Sequence, residues 1–238
     1  MLSASSTPRP EVLAALPIFP LPNVVLLPGM VLPLNVFEPR YLQLVDHVLT
    51  DGQHIGVPLL RPRGERMADH RPAIEPVFGV GKLVFHVRLP DGRRLIRLEG
   101  LGRVRVVREL PMEHLFRRVE VSALPEAPVN DRTALGVLRA QVEQLVQHWG
   151  EDGEALRSLL ALPDSRIFLY ALTAFLPSIE LFAGHDVTTE AARRALVEQQ
   201  QRSLAADDTE ARLAYLTERT ADLLMRLSPQ LAASALLN

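Results

Sequence analysis

From Lys82 to Leu89 the chain alternates: Leu83, Phe85, Val87 and Leu89 fall on one side, and Lys82, Val84, His86 and Arg88 on the other. That is the period of a half-buried strand. Pro90-Asp91-Gly92 follows, and Asp-Gly between two such runs predicts a hairpin. Leu95–Glu99 is the return strand, Gly100-Leu101-Gly102 predicts a turn, and Arg103–Val107 puts Val104 and Val106 on one face. Leu115–Val121 reads as a further strand, giving an antiparallel meander with one dry face. Phe85 and Phe116 have strand phases that place them in the core.

Upstream, Pro39 suits the first turn of a short helix. Tyr41, Leu44, Val45 and Val48 share a face, and Gly52 suits its end. His54–Leu60 predicts the next strand. Arg61–Pro76 is polar and proline-rich and predicts a mobile surface loop. After residue 131 the period turns helical. Leu135, Leu138, Val142, Leu145 and Trp149 are spaced 3, 4, 3, 4. Pro163-Asp164-Ser165 opens a helix over Arg166–Leu176, which Pro177 should end. Thr189–Leu204 is a third helix. Asp207 with Glu210 resembles a capping box, and Leu213, Leu216, Thr220, Leu223, Leu224 and Leu227 line the last long helix.

Composition changes where the period changes. Sixteen of 19 prolines and nine of 13 glycines lie at or before Pro128, while 18 of 25 alanines lie after it. Residues 1–125 hold 16 basic and 12 acidic groups; residues 126–238 hold 10 and 16. The reading is a polar, disordered tail at 1–12, a β domain at 13–125 and a helical domain at 126–238, with a hinge at Leu124–Asp131. Apolar residues form 47% of the 238, enough for a core, and net charge is −2, which does not suit a protein whose main task is neutralising nucleic acid. The chain has no cysteine, which excludes disulfides, thiolate metal sites and a cysteine nucleophile. A reducing cytoplasm fits this composition. No apolar run is long enough to span a membrane, and the N-terminus lacks the pattern of a secretory signal.

Catalytic patterns are missing. There is no GxxxxGK[ST] or GxSxG. Gly79-Val80-Gly81 does not complete a dinucleotide fingerprint. Lys82 is the one lysine, set mid-strand, a poor partner for a serine–lysine dyad. The histidines are never closer than seven residues, so no metal site and no cofactor is expected. Lys82 to Arg118 carries ten basic and four acidic groups. Their alternation with core residues suits the solvated side of a sheet better than an RNA surface, because aromatic stacking platforms are absent.

Leu16–Tyr41 (LPIFPLPNVVLLPGMVLPLNVFEPRY) is almost wholly apolar yet holds six prolines. Proline removes ladder donors, so such strands sit at edges or are broken. Two readings stay open: a docking edge for an extended peptide, or a proline-kinked strand pair that closes a small barrel.

That stretch resembles the start of the Lon protease substrate-binding (Lon N-terminal) domain. Gly79–Leu83 resembles the family's next strand, with Lys82 where threonine is usual. Leu89–Gly92, Leu98–Val106 and Gln200–Leu213 resemble its hairpin, following strand and helical glutamine–leucine–acidic–arginine pattern. The resemblance implies an α+β fold: a PUA-like antiparallel β pseudo-barrel with one short helix, then a helical bundle. It also implies a stand-alone member without ATPase or peptidase domains, non-enzymatic, that binds unfolded or extended polypeptides. The alternatives are an RNA-binding PUA-like protein using the arginine-rich face, and an adaptor docking on a protease or chaperone. The binding surface is expected at the Pro22-Asn23 turn and at Phe37, Glu38, Arg40 and Tyr41. There, two aromatics, two opposite charges and a helix N-terminus meet the proline-broken strand.

Overall fold

The computed structural model describes residues 9–61, 71–182 and 189–235. The chain divides into two compact units, Met1–Pro125 and Glu126–Asn238. The first runs α1 (Pro10–Ala14), β1 (Leu16–Ile18), β2 (Val31–Val36), α2 (Pro39–Thr50), β3 (His54–Val57), β4 (Val77–Arg88), β5 (Arg94–Glu109) and β6 (Arg117–Leu124).

The length of β5 closes the sheet. β4 pairs along one edge of it, from Arg94 to Arg105. The opposite edge is shared: β2 takes residues 94–99 and β6 takes 103–109. β6 pairs with β1, β1 runs parallel to β3, and β3 returns to β4. Five strands form a ring, and β2 lies outside it on the first half of β5. One apolar core fills the ring with Leu16, Ile18, Phe78, Val80, Val104, Val119 and Val121. A second lies under α2, whose Tyr41, Leu44, Val45 and Val48 meet Leu26, Val36, Leu83, Ile96, Leu98 and Phe116.

Several local expectations are corrected. Gly100-Leu101-Gly102 is not a turn, because β5 runs straight through it. The glycines serve another purpose. A Cβ on Gly79 would lie 1.9 Å from the Leu26 carbonyl oxygen, and one on Gly100 would lie 2.2 Å from that of Leu27. The backbone of Leu26–Leu27 presses on β4 and β5 where only glycine leaves room. In β4 the dry face ends at Leu83: the register shifts between Leu83 and Phe85, and Phe85 and Val87 are exposed rather than buried. The tail expected over residues 1–12 is helical from Pro10. The loop expected over Arg61–Pro76 is ordered at both ends. Arg61 N–H donates to Ala73 O, Glu75 N–H donates to Leu59 O, and Ile74 is buried; residues 62–70 lie outside the described residues.

The second unit runs α3 (Arg132–Trp149), a 3₁₀ turn (Gly150–Gly153), α4 (Glu154–Leu160), α5 (Ser165–Phe182), α6 (Glu190–Ala205) and α7 (Thr209–Ala235). α5 continues past Pro177, which costs it one backbone bond without ending it. The α7 cap is Asp208, whose carboxylate accepts from Ala211 N–H. The Glu210 carboxylate, expected to close a box with Asp207, accepts from Asn130 and Asp131 N–H ahead of α3. Arg212, fully buried, donates to Glu126 at 3.0 Å and to Ser203 O at 2.9 Å, and its guanidinium lies 4.1 Å from the Tyr170 ring centre. The Tyr170 and Thr209 hydroxyls also donate to Glu126. A buried charge needs such a complete set of partners.

Candidate functional site

Among the described residues β2 pairs with β5 alone. Two hydrogen bonds fix which backbone groups face the open side. Gly100 N–H donates to Met30 O, and Leu89 N–H donates to Arg93 O. Even residues of β5 therefore point toward β2 and odd residues toward β4. In the antiparallel register Leu32, Leu34 and Val36 then exchange bonds with Leu98, Ile96 and Arg94. Val31, Pro33 and Asn35 turn their backbone groups to the open edge. Pro33 removes the central donor there, so the edge is blunted but still offers two N–H groups and three carbonyls.

The outer face beside that edge mixes apolar and polar side chains in every row. Pro33 pairs across Arg97 to Phe85, and Asn35 pairs across Leu95 to Val87. Val31, Phe85, Val87 and Leu95 are all exposed, Val31 at 54%. The Arg97 guanidinium lies 5.0 Å from the Phe85 ring centre. Phe37, which follows β2, is 64% exposed.

A separate cleft of about 220 Å³ lies beside the start of α2. Pro20, Arg40, Tyr41, Leu60, Arg71, Pro72, Met112, Leu115, Phe116 and Arg117 line it. Tyr41 is buried against Phe19, with ring centres 3.9 Å apart, and its hydroxyl reaches Pro20 O at 3.5 Å. Burial pushes the Tyr41 phenol above its ordinary range, against the pull of Arg40, so it stays a neutral donor. Arg40 donates through Nε to Glu38 at 2.9 Å and sits 4.5 Å from the Tyr41 ring centre. Glu109 bridges Arg117 and Arg71, the latter at 2.8 Å, and Arg117 donates to Pro72 O at 3.0 Å. Behind Phe116, His47 packs against His114; burial, then the neighbouring imidazole, lowers the His47 pKa.

The six residues expected to form one surface take the following places. Arg40 and Tyr41 line the cleft and Glu38 holds Arg40. Phe37 projects to solvent beyond β2. Pro22 and Asn23 are exposed in a bend after Leu21, which bridges to Leu59, and neither lines the cleft. Missed in the sequence were Arg71, Met112, Leu115, Phe116 and Arg117 in the cleft and, on the outer face, Phe85 and Leu95 beside Val31 and Pro33, which belong to the stretch read as a possible docking edge. A signal for the second group was present: in VLPLNV both alternating sets are largely apolar, more than one buried face needs. Among the described residues no group of His, Asp and Glu could hold a metal ion, and no helix is long and apolar enough to cross a membrane.

Besides Arg117 with Glu109, four of the basic residues from Lys82 to Arg118 meet carboxylates. Arg93 meets Asp91, Arg94 meets Asp46, Arg108 meets Glu120, and Arg118 meets Glu113.

Residues 15–181 match the family described as the ATP-dependent protease La (LON) substrate-binding domain. Lon protease of Desulfovibrio desulfuricans is 35% identical over 133 residues, which is 54% of this chain and 14% of that protein. Lon protease 2 of Myxococcus xanthus is 26% identical over 214 residues, 88% of this chain and 24% of that one. The chain thus spans a minor part of these relatives. Among solved structures, a Lon N-terminal domain protein from Xanthomonas campestris superposes with a TM-score of 0.51 at 27% identity, over 79% of this chain and 97% of that one. The N-terminal domain of the Mycobacterium avium complex Lon protease gives 0.59 at 18% identity, over 87% and 98%, a likeness of fold. With the ring of strands, the short helix and the helical unit in place, the match over residues 15–181 shows that this chain belongs to the Lon substrate-binding domain family.

Proposed function

We propose that this chain is a polypeptide-recognition module that binds unfolded or extended segments, adding them as a strand beside β2. The observation that carries the reading is the open β2 edge, flanked by the exposed side chains Val31, Phe85, Val87 and Leu95. Main-chain bonds to Val31 and Asn35 would give sequence-tolerant affinity, and the outward Val31 and Pro33 side chains beside the added strand would select apolar residues. Phe37 extends that surface, and the Pro22-Asn23 bend is proposed as a further contact. The relatives named above are proteases, and a protease or chaperone is the proposed recipient of what this domain captures. The module has no bond-breaking chemistry of its own: with ATP or unfolded casein we expect neither phosphate release nor cleavage. The carboxylate partners of its arginines make nucleic acid the weaker reading, since phosphate binding draws on unneutralised cations.

Fluorescent unfolded casein titrated with wild type and with a Phe85→Ser, Leu95→Ser double variant tests the reading. Binding should weaken about tenfold or more, in the range of truncated interface anchors, while the thermal midpoint holds. Equal binding by the folded variant would remove the outer face of β4 and β5 from the site and leave pairing at the β2 edge alone.

A further inference from the structure

We infer that Pro33 selects the partner at the β2 edge: it keeps β2 from pairing with β2 of a second copy of this chain, and so leaves the edge to a foreign strand. This rests on reading β2 as the binding edge, and it adds which strand that edge refuses. An exposed edge strand is a template for its own copy as much as for any other chain. Here Val31, Pro33 and Asn35 are exposed, Leu32 and Leu34 half-buried and Val36 buried. The same odd-numbered residues turn their backbone groups to the open side, because Leu32, Leu34 and Val36 face β5. Val31 and Asn35 each offer a donor and an acceptor there. Pro33 offers an acceptor only, with its Cδ where the hydrogen would lie.

A closed dimer of two copies has a two-fold axis, and across a shared sheet edge that axis sets the strands antiparallel and makes every contact occur twice. With the axis at Pro33, Val31 of each copy meets Asn35 of the other, and the two prolines meet each other. Both central bonds are then missing, and the two Cδ groups crowd the gap between the strands. Sliding the axis to Leu32 or Leu34 leaves two open-edge residues of β2 per chain in register. It still loses two bonds, since each proline then meets Val31 or Asn35 of the other copy. A foreign strand lying along Val31–Asn35 meets the proline once and loses one bond of six. Side chains widen the difference. Self-pairing sets Val31 beside Asn35 at both ends, an apolar side chain against an amide, whereas a foreign strand can bring an apolar residue to Val31. The same defect is counted twice against a second copy and once against a substrate.

The test replaces Pro33 by Val, which suits an edge strand; Pro33→Thr repeats it with a second β-branched side chain. Self-association is read by sedimentation equilibrium. Binding of labelled unfolded casein is read by fluorescence anisotropy, at protein concentrations below the onset of self-association. One net backbone hydrogen bond is worth about two- to tenfold in an equilibrium constant. Pro33→Val should therefore tighten casein binding by about that factor and self-association by about its square. Adding Asn35→Pro to Pro33→Val should take the self-association away again, which ties it to β2 rather than to the outer face. Self-association unmoved by Pro33→Val, in a variant with the wild-type thermal midpoint, overturns the inference. So does a wild-type dimer that Asn35→Pro dissociates, because β2 would then pair with itself with the proline in place. Tighter self-association, with casein binding indifferent both to Pro33→Val and to the Phe85→Ser, Leu95→Ser pair, keeps the block on a second copy and removes the strand-addition reading.

Discussion

The two ends of one proline-rich apolar stretch meet water in opposite ways. Leu16–Ile18 and Leu26–Leu27 are buried, the first as a strand between β3 and β6, the second wedged against Gly79 and Gly100. Val31–Val36 has the same composition but keeps one edge and one face open. Composition alone does not separate them. Position does: β1 has a strand on each side, whereas β2 joins β5 where the ring has already closed. Apolar residues in the first place hold the fold together, and in the second they are available to a partner. The buried reading of this stretch describes its first half, and the docking-edge reading is proposed for the second.

The largest effect should come from the wedge. Gly79→Ala forces a methyl into the Leu26 carbonyl, and relief requires backbone movement. We expect a loss of about 3 kcal/mol or more in urea unfolding, the upper range for overpacking. A loss under about 1 kcal/mol would mean that the wedge yields easily and the closed half is not rigid. Next, Leu27→Ala should cost about 2–5 kcal/mol as a buried truncation, whereas Val31→Ala, four residues on, should change stability by about 0.5 kcal/mol or less. Similar losses for the two would erase the distinction between the halves.

A smaller, pH-dependent effect belongs to the closed half. His54 in β3 has a pKa lowered from 6.5, mainly by burial. The unfolded chain therefore takes up a proton that the folded chain resists, and stability falls as pH drops through about 6.5. His54→Gln should flatten that part of the stability profile between about pH 7.5 and 5.5, measured by urea midpoints. An unchanged slope would assign the effect elsewhere, with His47 the next group to replace.

What the sequence could tell, and what it could not, follows from the range of the interactions involved. Alternation over Lys82–Leu89 revealed a strand, and the spacing of Tyr41, Leu44, Val45 and Val48 revealed a buried helix face, because both are local periods. Alternation did not reveal that the dry face ends at Leu83. That depends on a register shift and on how far α2 reaches. Gly100 was read as a turn and Gly79 as the start of an incomplete fingerprint, when a segment some fifty to seventy residues earlier requires both. Pro177 was read as a stop because one lost hydrogen bond weighs heavily in an isolated helix and little in a packed one. Asp208, one of the two aspartates at that boundary that suit the role, caps α7. For the candidate site, the helix start supplied Arg40 and Tyr41. Arg71, Leu115 and Arg117 are brought to them by the ring closure, which no local pattern records.

Amide hydrogen exchange on β2, followed by NMR with and without unfolded casein, tests the central claim most directly. In the free protein Leu32, Leu34 and Val36 should exchange slowly, bonded to β5, and Val31 and Asn35 should exchange fast. On binding, Val31 and Asn35 should slow together while the even-numbered amides stay as they were. Casein bound with no change at Val31 and Asn35 would contradict strand addition at this edge.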